Sequence, residues 1–197
     1  ELFPGDLERR IEVRWDAGPN RVVAEEVERF RGLALGARRV EPPPADEAAR
    51  LLAVEVLAGR LLLHEWDAAA EQWIHRVNFL AKACPELGLS AFGEEERRTV
   101  LEQFCLGSTS YKDIKDRPLL PALQDWLSAA QRALVEKHAP ERLELPGGRK
   151  PKIVYAGEAP PYFATRLQDL YGMSQTPRIA LGRVPLVVHL LAPNQRP

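Results

Sequence analysis

The stretch Asp67-Ala-Ala-Ala-Glu-Gln-Trp73-Ile-His-Arg-Val77-Asn-Phe-Leu80-Ala-Lys-Ala-Cys84-Pro85 sets the period for the middle of the chain. Trp73, Val77, Leu80 and Cys84 fall at i, i+4, i+7 and i+11, the spacing that lines up apolar side chains on one face of a 3.6-residue helix. Asp67 stands where an N-cap would accept the first free N–H groups, and Pro85 with Gly88 ends the pattern. The same period continues outward in both directions. Upstream, after the Pro42-Pro43-Pro44 break, Asp46 is expected to cap a helix with Leu51, Val54, Ala58, Leu61 and Leu62 on its apolar face. Downstream, Glu94-Glu95-Glu96 puts negative charge in the first turn of a helix, where the macrodipole favours it; Val100, Leu101, Phe104 and Cys105 form its apolar face and Gly107 its stop. Residues 119–137 read as a fourth helix, opened by Pro118 and lined by Leu123, Trp126, Leu127, Ala130 and Leu134. Four such helices predict a small helical bundle over residues 44–140.

At both ends the period falls to two. Within residues 9–15, Ile11, Val13 and Trp15 alternate with charged residues, the pattern of a half-buried strand. Ala17-Gly18-Pro19-Asn20 reads as a turn. Residues 21–30 then fit a second strand hairpinning back, with helix left open, and Leu33 to Val40 fits a third short strand before the prolines. Near the other end, Arg142-Leu-Glu-Leu alternates, Gly147-Gly148 supplies a tight turn, and Lys152-Ile-Val-Tyr runs back, which predicts a hairpin. Pro160-Pro161 is expected to open a short helix through Leu167 and Leu170 to Gly172, and residues 184–191 read as a buried strand. The expected fold class is therefore α+β in three consecutive regions: a β-rich segment over 1–43, a helical region over 44–140, and an α/β segment over 141–197.

With 197 residues, 45% of them apolar and 28% charged, the chain is large enough for a substantial core, which excludes disorder over its whole length. The 27 Lys plus Arg almost cancel the 28 Asp plus Glu, so no chain-wide field draws the protein to nucleic acid or an anionic membrane. The charge is uneven, however. Residues 42–141 carry five more acidic than basic groups, and 142–197 carry five more basic than acidic. The longest hydrophobic run, 184–192, includes Pro185 and His189 and falls far short of the roughly 20 residues a membrane span needs. No secretory signal is visible, and the start at Glu1 without Met suggests an excerpt of a longer chain. Cys84 and Cys105 fit no disulfide framework, so a reducing cytoplasm is the default expectation.

Motifs of catalysis are missing from the sequence. Gly147-Gly148-Arg149-Lys150 lies between two predicted strands and runs into Pro151, so it cannot be a phosphate loop opening onto a helix. No Gly-x-Ser-x-Gly elbow exists, and Gly107-Ser-Thr-Ser110 reads as a helix stop and turn. His64-Glu65 begins like a zinc-protease motif, but Ala68 occupies the position of the second ligand. His75 and Cys84 point to opposite faces of their helix, and both cysteines sit on apolar stripes as small buried hydrophobes. Trp73 and Trp126 read as core, whereas Trp15 and Trp66 are candidate stacking platforms. No catalytic or metal-ligating residue is assigned. The positive signal is the basic C-terminal segment. Arg149, Lys150 and Lys152 lie on and beside the predicted hairpin tip, and with Arg178 and Arg183 they are the candidate nucleic-acid contacts, set against the plainer reading of a solvated surface.

Two stretches carry a resemblance: Trp73-Ile-His-Arg-Val-Asn-Phe-Leu-Ala-Lys-Ala, and Ala164-Thr-Arg-Leu-Gln-Asp-Leu-Tyr-Gly-Met with Thr176-Pro-Arg-Ile and Gly182-Arg-Val-Pro-Leu-Val-Val-His-Leu-Leu-Ala-Pro-Asn-Gln-Arg-Pro. Together they resemble the C-terminal part of bacterial HrpB-type ATP-dependent helicases of the DEAH/DExH group. Leu2-Phe3-Pro4 and the Arg-Ile-Glu-Val-Arg-Trp-Asp strand are similar to that family's OB-like region just after the helicase core. The resemblance breaks off at Pro197, where the family pattern would continue, which implies a C-terminal segment cut short. It implies a non-catalytic accessory region of an ATP-dependent RNA helicase. ATP and Mg²⁺ would be bound only in a RecA-like core that is the partner in the same parent chain, with single-stranded nucleic acid as a second partner, no membrane, and a role in regulating the core. The alternative expectation is a protein-interaction scaffold without nucleic-acid binding; a standalone hydrolase is disfavoured by the missing motifs.

Overall fold

The computed structural model describes residues 7–192. Leu2-Phe3-Pro4 and residues 193–197, Arg196 among them, lie outside the described part. The chain packs as two units, one made of residues 7–66 and 94–122 and the other of 67–93 and 123–192. The boundaries expected at 43/44 and 140/141 each fall inside a unit, and the helical middle is divided between them.

The first unit opens with β1 (Leu7–Asp16), β2 (Arg21–Phe30) and β3 (Leu33–Val40), an antiparallel meander in which β2 is central. The strand alternative at 21–30 is the one realised. β1 and β2 stay in register from Leu7 opposite Phe30 to Asp16 opposite Arg21, and cross-strand ion pairs join Arg9 to Glu28 (2.6 Å) and Arg29 to Glu12 (2.8 Å). Only β2 is well buried, through Val22, Val23, Ala24 and Val27. The helix α1 (Ala45–Leu57) follows, with Pro44 at the N-cap and Asp46 in the first turn instead of at the cap. Its buried face is Ala48, Ala49, Leu52, Ala53 and Val56, whereas Val54 and Leu62 of the expected face are 43% and 69% exposed. Alanines let backbones approach closely, so the stripe that packs is the one on which Ala48, Ala49 and Ala53 accompany Leu52 and Val56, and Val54 stays outside. A later helix of this unit, α3 (Glu94–Cys105), packs against α1 and buries Val100, Leu101, Phe104 and Cys105 as expected. Gly107 ends it at φ 77°, and Ser110 with Asp113 forms a capping box for α4 (Tyr111–Ile114).

In the second unit α2 (Ala68–Ala83) is capped by Asp67, whose carboxylate accepts the N–H groups of Ala69 (2.9 Å) and Ala70 (3.0 Å). It buries Trp73, Ile74, Val77 and Leu80, with Cys84 just beyond it. Arg76 is buried on the same helix; its Nε donates to the Ala139 carbonyl (2.7 Å) and its terminal nitrogen pairs with Glu136 (2.8 Å). The single helix expected over 119–137 is instead two, α5 (Leu120–Asp125) and α6 (Ala129–His138). Ser128 and Gln131 explain the break: the Ser128 hydroxyl accepts the Gln131 N–H (3.2 Å) while the Gln131 side chain accepts the Ser128 N–H (3.0 Å), the reciprocal bonds of a capping box.

The strands that follow are β4 (Ile153–Ala156), β5 (Ala159–Thr165), β6 (Arg178–Ile179), β7 (Val184–Pro185) and β8 (Val187–Leu190). β5 is central in a mixed sheet, antiparallel to β4 and parallel to β8, and β6 pairs with β7. Three sequence expectations change here. The hairpin over 142–155 is shorter than expected: an antiparallel bridge joins Arg142 and Lys152, with backbone bonds from Ile153 to Glu141, Leu143 to Pro151 and Leu145 to Arg149, and beyond Ile153 the chain pairs with β5. Pro160 and Pro161 lie within β5 and open no helix; the turn of 3-10 helix comes later, at Leu167–Leu170. The sheet tolerates the prolines because β8 pairs only from Tyr162 onward and the β4 register slips between Val154 and Ala156, so no ladder bond needs their missing N–H. Residues 184–191 are two short strands, with Leu186 buried between them but Val187 and Leu190 41% and 59% exposed. Tyr155 and Phe163 are the largest fully buried side chains. Among the described residues no helix is long and apolar enough to cross a membrane.

Candidate nucleic-acid interface

The loop between α6 and β4 carries three of the candidate cations. Gly148, at φ 78°, donates its N–H to the Leu145 carbonyl (2.8 Å) and turns the chain, and Leu145 donates to the Arg149 carbonyl (2.9 Å) across the turn. Arg149 reaches the Asp169 carboxylate (2.8 Å), Lys150 lies 3.5 Å from Glu144, and Lys152 lies 3.6 Å from Glu141. All three cationic side chains remain 57–65% exposed. Asp169 also accepts from the Thr165 hydroxyl (2.9 Å) and the Arg166 N–H (3.2 Å). Burial pushes its carboxyl up, but Arg149, Thr165 and Arg166 together hold it below the usual carboxylate value.

Arg149 and Lys150 line a cleft of about 260 Å³ with Pro151, Ala164, Thr165 and Leu191. Tyr162 is two residues from Ala164 on β5 and so on the same face of the strand. Its ring stacks on His189 of β8, with centroids 4.2 Å apart and planes 20° from parallel. The sequence reading missed this pair. The two residues come together only through the parallel β5–β8 pairing, which no local pattern announces.

Arg178 and Arg183 sit elsewhere, in β6 and in the turn just before β7, and both are engaged. Arg178 donates to the carbonyls of Gly182 (2.6 Å) and Arg183 (2.7 Å). Arg183 donates to the Ala83 carbonyl at the C-terminal end of α2 (3.2 Å) and pairs with Glu86 (2.6 Å), an arrangement that complements the negative end of the helix. The Arg183 hydrogen bond holds the Glu86 carboxyl below its ordinary value.

Elsewhere the residues singled out in the sequence have structural employment. His64 Nδ1 lies 2.8 Å from an Asp116 oxygen, both side chains exposed. Cys84 and Cys105 are free and fully buried, and burial pushes the Cys105 thiol up to about 12. Trp73 is buried, and Trp126 meets Phe92 edge to face at 5.1 Å. Among the described residues no group of three or more His, Cys, Asp and Glu side chains could hold a metal ion. The Gly147-Gly148 turn leads through Pro151 into the Arg142–Lys152 bridge and β4, so it is not a phosphate loop opening onto a helix N-terminus.

Residues 100–197 match the family described as HrpB_C, ATP-dependent helicase C-terminal. The ATP-dependent RNA helicase HrpB of Escherichia coli (strain K12) is 30% identical over 189 residues, which are 94% of this chain and 23% of that protein. The crystal structure of the E. coli DExH-box NTPase HrpB aligns with a TM-score of 0.73 at 28% identity, covering 98% of this chain and 24% of that one. The crystal structure of the Escherichia coli DEAH/RHA helicase HrpB aligns at 0.72 and 27% identity, over 95% of this chain and 24% of that one. Fold and sequence thus define an α+β region of the kind that stands at the C-terminal end of such helicases. The chain belongs to the C-terminal region of the HrpB type, and it spans about a quarter of the length of the relatives it matches.

Proposed function

We propose that this region contacts single-stranded RNA weakly through the face formed by Arg149, Lys150, Lys152 and the Tyr162–His189 stack, and so regulates a RecA-like core in the same cytoplasmic parent chain. ATP and Mg²⁺ are bound by that core and not by these residues. The observation that supports this reading is the combination of exposed cations with a neighbouring aromatic pair. Cations that track phosphates beside an aromatic surface that stacks bases are what sequence-tolerant single-strand binding requires. The Lys150–Glu144 and Lys152–Glu141 pairs are long and exposed, and such pairs are worth about 0–1 kcal/mol, so phosphates can exchange into them at little cost. The OB-like character of the β1–β3 segment rests on the resemblance and belongs to this proposal.

Fluorescence anisotropy of a labelled single-stranded RNA tests it. Binding should weaken steeply between low and physiological salt, as counterion release requires, and the triple change of Arg149, Lys150 and Lys152 to Ala should weaken it at least tenfold at low salt. No binding at low salt would refute this face. A second reading, docking of a protein, is favoured by the exposed Leu33 (73%), Leu35 (63%) and Ile11 (44%) on β1 and β3, and it predicts association insensitive to salt.

A further inference from the structure

A cavity of about 340 Å³ lies at the open end of β2 and β3, its wall including Arg21, Arg39, Val40, Glu41, Pro43 and Thr109. Arg21, one of the residues lining it, has its Nε buried without a hydrogen-bond partner. The residue opposite Arg21 on β1 is Asp16, but that carboxylate accepts the Gly18 N–H of the turn (3.2 Å). Buried polar groups nearly always find an acceptor, and a guanidinium N–H without one is unfavourable. Arg39, the second cation on this wall, pairs with Glu41 at 2.7 Å; the two side chains are 48% and 65% exposed. An ion pair so exposed gives way readily to a competing anion. The cavity wall therefore carries two guanidinium groups against one carboxylate, with an N–H that no group of the described residues serves.

We propose that this cavity is a phosphate site, with Arg21 and Arg39 donating to the oxygens of one phosphate group. Planar guanidinium forks match phosphate oxygens two at a time, and the oxygens of one phosphate, each with more than one lone pair, can accept from two guanidinium groups together. The phosphate belongs either to a nucleic-acid backbone or to a free phosphate ion, and the two sources are separable by experiment. None of these residues is shared with the face around Arg149, so the two proposals stand or fall apart.

The test compares the whole chain with its Arg21→Gln and Arg39→Gln variants. Melting is followed with inorganic phosphate against chloride at equal ionic strength, and anisotropy with the labelled RNA. Phosphate should raise the melting temperature of the wild type, since a ligand of the folded state stabilises it, and should leave Arg21→Gln unmoved. Without phosphate, Arg21→Gln should melt at or above the wild-type temperature, because the orphaned N–H makes no contact that the change could remove. A phosphate shift together with RNA binding weakened threefold or more in Arg21→Gln assigns the site to a nucleic-acid backbone; the same shift with RNA affinity unchanged assigns it to free phosphate. A phosphate shift that persists in Arg21→Gln, or no shift together with unchanged RNA affinity, overturns the proposal. Arg39→Gln gives the same readings should Arg21→Gln fail to fold. RNA binding lost in the Arg149, Lys150 and Lys152 triple variant but kept in Arg21→Gln would favour the other face alone.

Discussion

Asp169 gathers the side chain of Arg149, the Thr165 hydroxyl and the Arg166 N–H onto one carboxylate. Its ionised form is favoured in the folded protein, so its carboxyl lies below the unfolded value. A carboxyl lowered in this way contributes stability that is complete above the unfolded value and is lost as pH falls through the folded one. Asp169→Asn keeps the shape and one oxygen acceptor but removes the charge. The variant should melt below the wild type at neutral pH, and the gap should close as pH falls below the carboxylate range; a gap independent of pH would show that charge is not what Asp169 supplies. The same change releases Arg149. If Arg149 then reaches a phosphate, the slope of log K against log salt for single-stranded RNA should steepen by about 0.7. Salt titrations of both proteins by anisotropy would show it. Little of this was legible in the sequence, because Arg149 and Asp169 are twenty residues apart and no local pattern pairs them.

At the scale of elements, α2 supports β4 through a side chain that stands in for a missing strand partner. The β4–β5 register slips between Val154 and Ala156, leaving Tyr155 without an opposite residue. Gln72 fills the gap: its amide nitrogen donates to the Tyr155 carbonyl (2.8 Å) and its oxygen accepts the Tyr155 N–H (3.0 Å). Gln72→Ala leaves two backbone groups of a buried residue unpaired, which should cost about 2 kcal/mol. Urea unfolding should show a lower midpoint with an unchanged slope; an unmoved midpoint would mean that water serves Tyr155 equally well. The helix itself was plainly legible, since Asp67, Trp73, Val77, Leu80 and Cys84 gave its cap and its face by spacing alone. The face of α1 was not, because alanine carries a weak hydrophobic signal and its value lies in letting another helix come close. The break between α5 and α6 was hidden for the opposite reason. Leu123 and Leu127 keep the apolar period up to Ser128, so periodicity masks the local competition from the capping box. The prolines of β5 misled because their cost depends on which ladder bonds exist, and those are set by distant strands.

At the scale of the molecule, the three consecutive regions of the sequence reading follow local pattern, whereas packing follows contacts between distant stretches. Residues 67–93 and 123–192 make one unit, in which the strand residues Ile153, Tyr155 and Phe163 and the helix residues Trp73, Ile74 and Val77 are all buried. α2 contributes to this core and also holds Tyr155 through Gln72. A fragment of residues 141–197 has the complete β4–β5–β8 sheet but no helix to cover it, and a three-stranded sheet without packing on a hydrophobic face has little stability of its own. Such a fragment should show no cooperative thermal transition by circular dichroism. The longer fragment 100–197, which is the extent of the family match, regains α6 but still lacks α2. It should remain without a sharp transition until a peptide of residues 67–93 is added in trans, and that addition should restore one. A Gln72→Ala peptide should restore it more weakly. Cooperative melting of 141–197 by itself would mean that the sheet holds its own core, and that α2 is an addition to this unit and not part of what makes it fold.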